Sequence, residues 1–381
     1  MHILLNASNL GATGPEVVVR NLVPLLGHLA PNDVFTLLLP FSIQSEEWGL
    51  PSNMQVQYVS RSRIQELSRM WDIYIGLARI CRSIKADVCL TLGDMGPIHL
   101  PSSHVIYFHQ PYLGYPEPDL NAVLPWSERL KLSFQRWHFG RSVKNAKAVI
   151  VQTPVMADRL IRVFDVDRHK VHVMRPALPA HLKAARNGRH GVYSPMMAFP
   201  SCICLLFLAT YYAHKNHAIL PSLISELRQR DLSDKVHFFL TLDGNRRRAE
   251  TDLLRKLESE QDMVTNLGRL RPEEAGLALH TADALFMPTL VETFGLIYLE
   301  AMAAHKPILT SNRDFANYLC GDLALYFDPL DPVSIADAIE RLIAELPELQ
   351  TRLSAEAEKQ MSSVSQSHTE NAEAVLRLIR R

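Results

Sequence analysis

Two glutamates carry the clearest chemical signal in the chain. Glu292 and Glu300 lie eight positions apart in the string ETFGLIYLE, and Glu300 is the one charged residue between Gly295 and Ala304. A helix that is apolar all round is buried, and a buried carboxylate without a partner is strongly destabilising. Glu300 therefore needs hydrogen-bond donors. The two neighbouring hydroxyls of a ribose suit a bidentate carboxylate acceptor.

The residues between the glutamates predict a second contact with the same ligand. Thr293, Phe294 and Gly295 are expected to form the first turn of the helix, whose free N–H groups favour an anion. Gly295 would let a phosphate or a sugar approach the backbone closely. This order suits the sugar, diphosphate and ribose of a nucleotide sugar. The alternative is that Glu292 caps the helix and Glu300 pairs with a core arginine or lysine.

The longer string PTLVETFGLIYLEAMAAHKPIL resembles the C-terminal signature of retaining glycosyltransferase family 4, whose members have the GT-B fold. The resemblance covers nearly the whole chain. It implies metal-independent transfer of a hexose from a nucleotide sugar to a glycan or lipid-linked acceptor, with retention of anomeric configuration. The nucleotide sugar is a substrate, and no cofactor or metal is expected. The string HKNH resembles polysaccharide mannosyltransferases of bacteria, which suggests GDP-mannose as the donor.

The resemblance also assigns residues in the N-terminal half. Gly11 and Gly14 are similar to the glycine-rich loop of the family, which lies near the diphosphate and the acceptor. His109, in VIYFHQP, is similar to the active-site histidine that contacts the donor sugar. It is therefore expected to bind sugar hydroxyls as one of three catalytic residues, with Glu292 and Lys215.

Lys215 stands where the family has a lysine that binds the diphosphate, after the first strand of the second domain. The family usually has an arginine five residues earlier, where this chain has Thr210. His214, His217 or Arg269 are the substitutes that the sequence offers.

Two glycine turns and the Glu292–Glu300 string complete the expected donor site. Gly244 and Gly268 resemble the turns that line the pocket for the base and the diphosphate. Glu300 is assigned to the ribose. Glu292, with Thr293 and the backbone of Phe294 and Gly295, is assigned to the sugar and the phosphate.

The elements that must position these residues alternate between short apolar runs and amphipathic runs. This order predicts an α/β protein with two Rossmann-like, doubly wound domains that face each other across a cleft. Open sheets of this kind bind ligands at the carboxyl ends of their strands. We expect domains at 1–175 and 201–365 and a proline-rich linker at 176–200. A final helix at 366–381 would pack back on the N-terminal domain.

Composition excludes several classes of protein. The chain has 40 basic and 40 acidic residues, so it has no global field that would favour nucleic acid. Its five cysteines form no CxxC pair and show no metal-ligand spacing, which suggests a reducing, cytoplasmic location. The N-terminus does not read as a signal peptide, and no run is long and apolar enough for a spanning helix.

One segment suggests a membrane partner. Residues 126–147 carry six basic residues, one acidic residue and four aromatic residues. A basic amphipathic helix can lie on an anionic membrane from the cytoplasmic side. The alternative is a long helix packed on its sheet, with solvated arginines and lysines.

Two other functions remain open at this point. One is a different GT-B enzyme, such as a nucleotide-sugar epimerase or hydrolase, which would need added acid–base carboxylates. The other is a non-catalytic protein that binds nucleotide sugars, which the threonine at position 210 favours.

Overall fold

The computed structural model describes the chain except residues 11–13, 60–74, 94–95, 117–119, 121–122, 178–191, 246 and 381. The chain forms two compact units. The first unit comprises residues 1–116, 125–177 and 365–381, and the second comprises residues 117–124 and 178–364. The expected linker and the glycine Gly11 fall largely or wholly on residues outside the described ranges.

The first unit is built on a parallel sheet of seven strands. The strands are β1 (His2–Asn6), β2 (Val34–Pro40), β3 (Met54–Val59), β4 (Val88–Thr91), β5 (Ser103–Tyr107), β6 (Ala148–Val151) and β7 (Val171–Val173). Their order is β3-β2-β1-β4-β5-β6-β7. The helices are α1 (Gly14–Leu29), α2 (Leu77–Ser83), α3 (Pro111–Gly114), α4 (Trp126–Asn145) and α5 (Pro154–Phe164), with α12 (His368–Arg380) added from the end of the chain.

The last helix is part of the first unit's core. Val375 and Ile379 of α12 are buried in one cluster with Val19 and Leu26 of α1. A salt bridge of 2.9 Å from Arg380 to Asp33 also ties α12 to the first unit. The amphipathic sequence of α12 therefore buries its apolar face against α1.

The second unit repeats the architecture with six parallel strands. These are β8 (Ile203–Phe207), β9 (Val236–Leu240), β10 (Val264–Asn266), β11 (Ala284–Met287), β12 (Ile308–Ser311) and β13 (Ala324–Phe327), in the order β10-β9-β8-β11-β12-β13. The helices are α6 (Leu220–Gln229), α7 (Arg248–Leu257), α8 (Pro272–Thr281), α9 (Leu296–Ala303), α10 (Asp314–Cys320) and α11 (Pro332–Val364).

Chain order reverses between β8 and β11, which pair in parallel. The connections after these two strands leave the sheet in opposite directions, and this opens a crevice at their carboxyl ends. The second unit therefore has a ligand-binding position set by its topology. The loops at that position contain Lys215 and Glu292.

The structure differs from the sequence prediction where elements are short or where packing overrides a local signal. The periodicity did not predict β7, β10, β12 or β13, each of which has only three or four residues. The periodicity predicts a helix over Pro332–Leu346, but helix α11 continues through Pro347 to Val364. Buried residues at helical spacing after the proline, from Leu349 to Val364, explain the continuation.

Candidate active site

The loop after β8 is shaped by a left-handed residue. A short 3-10 turn, Ala213–Lys215, ends at Asn216, whose φ is +62°. Asparagine tolerates this conformation better than most residues, and its side-chain amide donates to the Pro329 carbonyl at 2.7 Å. Helix α6 therefore begins at Leu220, after a second 3-10 turn. The periodicity of the sequence predicts a helix over Asn216–Arg230, so its predicted start is wrong.

The loop after β8 is bonded directly to the loop after β11. The N–H of Leu290 donates to the His214 carbonyl at 2.7 Å. This bond places Lys215 beside Glu292, and their side chains form an ion pair with 2.6 Å between Nζ and Oε2. The structure thus brings together two residues that are 77 positions apart in the chain.

The Lys215–Glu292 pair lies mostly out of solvent, since each side chain is about 15% exposed. Burial by itself would raise the pKa of Glu292, but Lys215 and the N–H of Thr293 hold it below its usual value. Glu292 is therefore ionised at neutral pH. Its Oε1 accepts the Thr293 N–H at 3.1 Å, so the carboxylate is fixed by its own loop and by Lys215.

The expectation that Thr293–Gly295 opens helix α9 is wrong. The helix begins at Leu296, and Gly295 precedes it in a left-handed conformation with φ of +89°. A Cβ at Gly295 would lie 2.8 Å from the Tyr298 ring, and that ring is held by a 2.9 Å hydrogen bond from its hydroxyl to Thr310. Phe294 is buried, so only its backbone is available to a ligand.

Glu300 has no hydrogen-bond or ion-pair partner for its side chain among the described residues. It lies half-buried on α9, and burial raises its pKa to about 6. The alternative in which a core arginine or lysine neutralises it is therefore not found in the described part of the chain. A half-buried carboxylate in this condition needs external donors.

The two glycine turns lie at neighbouring strand ends. Gly244, with φ of +80°, follows β9, and its N–H donates to the buried Glu250 at 3.2 Å. Gly268, with φ of +75°, follows β10, and its N–H donates to Asn266. The Asn266 side chain also bonds both the N–H and the carbonyl of Leu242, so it links the two turns.

His109 belongs to the first unit, just beyond the end of β5. It is buried, and burial lowers its pKa to about 4, so the imidazole is neutral at neutral pH. Its Nδ1 lies 3.2 Å from the side-chain nitrogen of Gln152. Gly14 is the first residue of α1, and its partner in the sequence prediction, Gly11, lies outside the described residues.

The family model for glycosyl transferases group 1 matches residues 203–345, which lie within the second unit. These residues contain the Glu292–Glu300 string. The resemblance of that string to a glycosyltransferase family is therefore confirmed over this part of the chain.

Three comparisons illustrate the relationship. The chain is 25% identical over 218 residues to the D-inositol 3-phosphate glycosyltransferase of Corynebacterium diphtheriae, a match that covers 54% of this chain and 50% of that protein. It is 30% identical over 149 residues to the alpha-monoglucosyldiacylglycerol synthase of Streptococcus pneumoniae, with coverage of 38% and 32%. The structure of Anabaena HepE in complex with UDP-glucose matches with a TM-score of 0.69 and 13% identity over 99% of both chains.

The chain spans about half the length of the curated relatives it matches, since the first three are covered over 50%, 41% and 55% of their lengths. The structural match extends over nearly the whole chain, and it shows the fold. Together with the two parallel sheets, it confirms the GT-B fold class expected from the sequence.

The substitutes proposed for the missing family arginine do not supply a fixed positive charge beside Lys215. Burial lowers the pKa of both His214 and His217 to about 3, so both are neutral at neutral pH. Arg269 is an exposed residue in the turn after β10.

Sequence reasoning missed another cation, Arg247. Its guanidinium carbon lies 4.9 Å from the centre of the Tyr212 ring, and Tyr212 in turn stacks on His214 at 5.5 Å. The stack of Arg247, Tyr212 and His214 therefore ends next to Lys215, which follows His214 in the chain. Arg247 could have been recognised from its position at the start of α7. The positive end of a helix disfavours a cation, so an arginine there suggests that an anion binds nearby.

In the first unit, helix α4 exposes a row of large apolar side chains. Trp126, Leu130, Phe134 and Trp137 recur at helical spacing, and each is between 47% and 71% exposed. The Arg141 guanidinium lies 4.4 Å from the Trp137 ring. The helix is anchored by other residues, among them Phe139 and Val143, which are fully buried. Helix α4 therefore packs on its unit, as the alternative expectation states, and it also presents an apolar face. The contact with a membrane stays a prediction.

Within the described part of the chain, no helix has the length and apolar character needed to cross a membrane. The same residues contain no cluster of three side chains suited to hold a metal ion.

Proposed function

We propose that the protein transfers a hexose from a nucleotide sugar to a glycan or lipid-linked acceptor, with retention of anomeric configuration and without a bound metal. The observation that carries this proposal is the meeting of Lys215 and Glu292 at the crevice between β8 and β11. A cation for a diphosphate and a carboxylate for sugar hydroxyls stand there side by side. The match of residues 203–345 to the family model for glycosyl transferases group 1 supports the same assignment.

The charge of the leaving nucleoside diphosphate is offset by cations of the second unit. The first of these cations is Lys215. The second is Arg247, whose guanidinium stacks over the Tyr212 ring. An ammonium and a guanidinium that stabilise charge on a leaving phosphate lower the barrier for its departure. In this proposal the diphosphate competes with Glu292 for Lys215, and Glu292 is then released to accept hydrogen bonds from the sugar.

Glu300 binds the ribose of the donor. It has no protein partner among the described residues, and it lies just over one helical turn from the start of α9, which follows the loop that carries Glu292. Two ribose hydroxyls donate to its two oxygens, and each such hydrogen bond contributes about 1.5–3 kcal/mol. The turns at Gly244 and Gly268 would line the pocket for the base and the diphosphate.

The chemical step follows from the residues available. The motifs supply no obvious covalent nucleophile, so the acceptor hydroxyl attacks the anomeric carbon on the face from which the diphosphate leaves. The bond from that carbon to the phosphate oxygen breaks, and the departing phosphate oxygen takes the proton of the hydroxyl. His109 donates a hydrogen bond to a hydroxyl of the transferred sugar. A cytoplasmic location, with the acceptor in or beside a membrane, is consistent with these reactants.

The donor and the acceptor are identified by a transfer assay. GDP-mannose, which the HKNH resemblance suggests, and UDP-glucose, which HepE binds, are each supplied with D-inositol 3-phosphate or with vesicles that contain diacylglycerol. We expect nucleoside diphosphate release that needs the acceptor, with the sugar appearing on it. Release without acceptor would show a hydrolase, an altered sugar would show an epimerase, and binding without turnover would show a non-catalytic protein.

We also propose that α4 lies on an anionic membrane surface. The exposed row from Trp126 to Trp137 provides the apolar contact, and Arg141 and Lys144 follow on the same helix. We expect flotation with phosphatidylglycerol vesicles, weakened by salt and by the double variant Trp126→Ser/Phe134→Ser. Phe41→Ser, at another exposed aromatic residue of the first unit, is the matched control. Equal flotation of all three proteins would refute this partner.

A further inference from the structure

Two neighbouring strands of the first unit end beside each other and carry buried polar residues just beyond their ends. Strands β5 and β6 pair in parallel, with Tyr107 opposite Ile150. The N–H of Phe108 donates to the Ile150 carbonyl at 2.9 Å, which extends the pairing beyond β5. In this register His109 and Gln152 lie opposite one another at the carboxyl edge of the sheet, where ligands bind in folds of this type.

The contact between these residues has a defined direction. The Gln152 side-chain nitrogen lies 3.2 Å from Nδ1 of His109. An amide nitrogen can only donate, so Nδ1 must accept, and the single proton of the neutral imidazole is then carried by Nε2. The glutamine therefore selects one of the two tautomers of His109.

A third residue holds the amide in place. The Tyr107 ring lies 4.4 Å from the imidazole of His109, and the Gln152 side chain interacts with the Tyr107 hydroxyl, which partly offsets the rise in the Tyr107 pKa that burial causes. All three side chains are buried, with exposures of 1%, 5% and 7% for Tyr107, Gln152 and His109. Because its side chain is buried and bonded to His109, Gln152 has little room to rotate.

We propose that Gln152 is a positioning residue that holds His109 as the neutral Nε2–H tautomer, so that this nitrogen donates a hydrogen bond to a hydroxyl of the transferred sugar. This inference rests on the proposed function for its ligand, but the tautomer itself is a property of the chain alone. A merely structural Gln152 would fill space in the core, and its replacement would leave the tautomer of His109 unchanged.

The first unit offers a matched control. His104, on the same strand β5, is also buried, and burial lowers its pKa to about 4 as well. Its Nε2 lies 2.9 Å from the Thr91 hydroxyl, which is also buried. Thr91→Val removes the hydrogen-bond partner of a buried histidine in the same sheet without touching His109 or Gln152.

The test compares the full-length wild type with Gln152→Glu, Gln152→Met and Thr91→Val by ¹⁵N NMR of the imidazoles and by steady-state kinetics. We expect the wild type to carry the His109 proton on Nε2. In Gln152→Glu the carboxylate accepts, so the proton moves to Nδ1, and kcat falls about tenfold, as for loss of one hydrogen bond near 1.4 kcal/mol. Thr91→Val should leave the His109 signals and kcat unchanged.

Three results would overturn the inference: an Nδ1–H tautomer in the wild type, an unchanged tautomer in both Gln152 variants, or a changed tautomer with unchanged kcat. Gln152→Met, which can neither donate nor accept strongly, carries the test if the glutamate variant does not fold. It should give a mixture of tautomers. If the wild type transfers no sugar at all, the proposed function fails, and the NMR result still decides whether Gln152 controls the tautomer.

Discussion

Replacing both members of the Lys215–Glu292 pair should cost less stability than the two single replacements add up to. The atoms lie 2.6 Å apart, at which distance two unit charges attract by about 6 kcal/mol for an effective dielectric constant near 20. Each of the two side chains is about 15% exposed to solvent, so water screens part of this attraction. We expect Lys215→Met and Glu292→Gln each to lower the free energy of unfolding by about 3 kcal/mol.

The double variant should lose about 2 kcal/mol less than the sum of the singles, because it leaves no unpaired buried charge. Urea unfolding measures these energies. All four tryptophans of the sequence fall in the residue ranges of the first unit, so fluorescence follows that unit, and far-UV circular dichroism follows both. The control is the exposed pair Arg341–Glu345, for which we expect a coupling of about 0.3–0.5 kcal/mol. The reasoning is refuted if the losses of the two single variants at the buried pair add up to the loss of the double variant within about 0.5 kcal/mol.

Three further outcomes are expected. Arg247→Ala should weaken the binding of a nucleoside diphosphate, measured by calorimetry, about tenfold, as for the loss of one charge-assisted contact. The neighbouring Arg248 pairs with Asp252 at 3.8 Å, and Arg248→Ala should leave the affinity unchanged. Equal effects of the two variants would exclude Arg247 from the site. The free energy of unfolding should fall as the pH drops below about 6.5. The pKa of His217 is lowered to about 3 in the folded protein, so the unfolded chain binds the proton first. Urea unfolding of His217→Phe should show a smaller loss of this free energy between pH 7 and pH 5, and an equal loss in the variant and the wild type would contradict this reasoning. Gly295→Ala should lower the melting temperature, since the added Cβ would lie 2.8 Å from the Tyr298 ring in a left-handed turn. A Cβ at Gly276 would meet no atom within 4 Å, so Gly276→Ala should not lower it. Equal melting temperatures of the two variants would contradict the described conformation of the Gly295 turn.

Sequence reasoning predicted what depends on local pattern. The apolar runs His2–Asn6 and Ala284–Met287 predict strands, and β1 and β11 have these bounds. A short apolar run between polar turns can be recognised as a buried strand without knowledge of its neighbours. Glu300 was recognised because a charge on an apolar helix conflicts with burial. The same conflict remains in the structure, where Glu300 still has no partner among the described residues.

Features that depend on contacts between distant segments could not be predicted. Nothing near Lys215 in the sequence indicates that Glu292 will be its partner, since the β8–β11 pairing and the Leu290–His214 bond create that contact. Gln152 gives no chemical signal of its own. It gains a role only because the register of β5 and β6 places it opposite His109. The left-handed Gly295 likewise depends on Tyr298 being fixed by Thr310.

Calorimetric titration of GDP and UDP into the wild type and Glu300→Gln tests the central claim most directly. We expect one nucleoside diphosphate to bind the wild type with one-to-one stoichiometry. Glu300→Gln should weaken it by roughly 10- to 100-fold, as two charged hydrogen bonds to ribose become weaker neutral ones. The exposed Glu273→Gln is the control, and a 2′,3′-dideoxyribose analogue should bind the wild type and Glu300→Gln almost equally. Equal affinity of the wild type and Glu300→Gln for the natural nucleotide, or no binding to either, would contradict the assignment of the donor site.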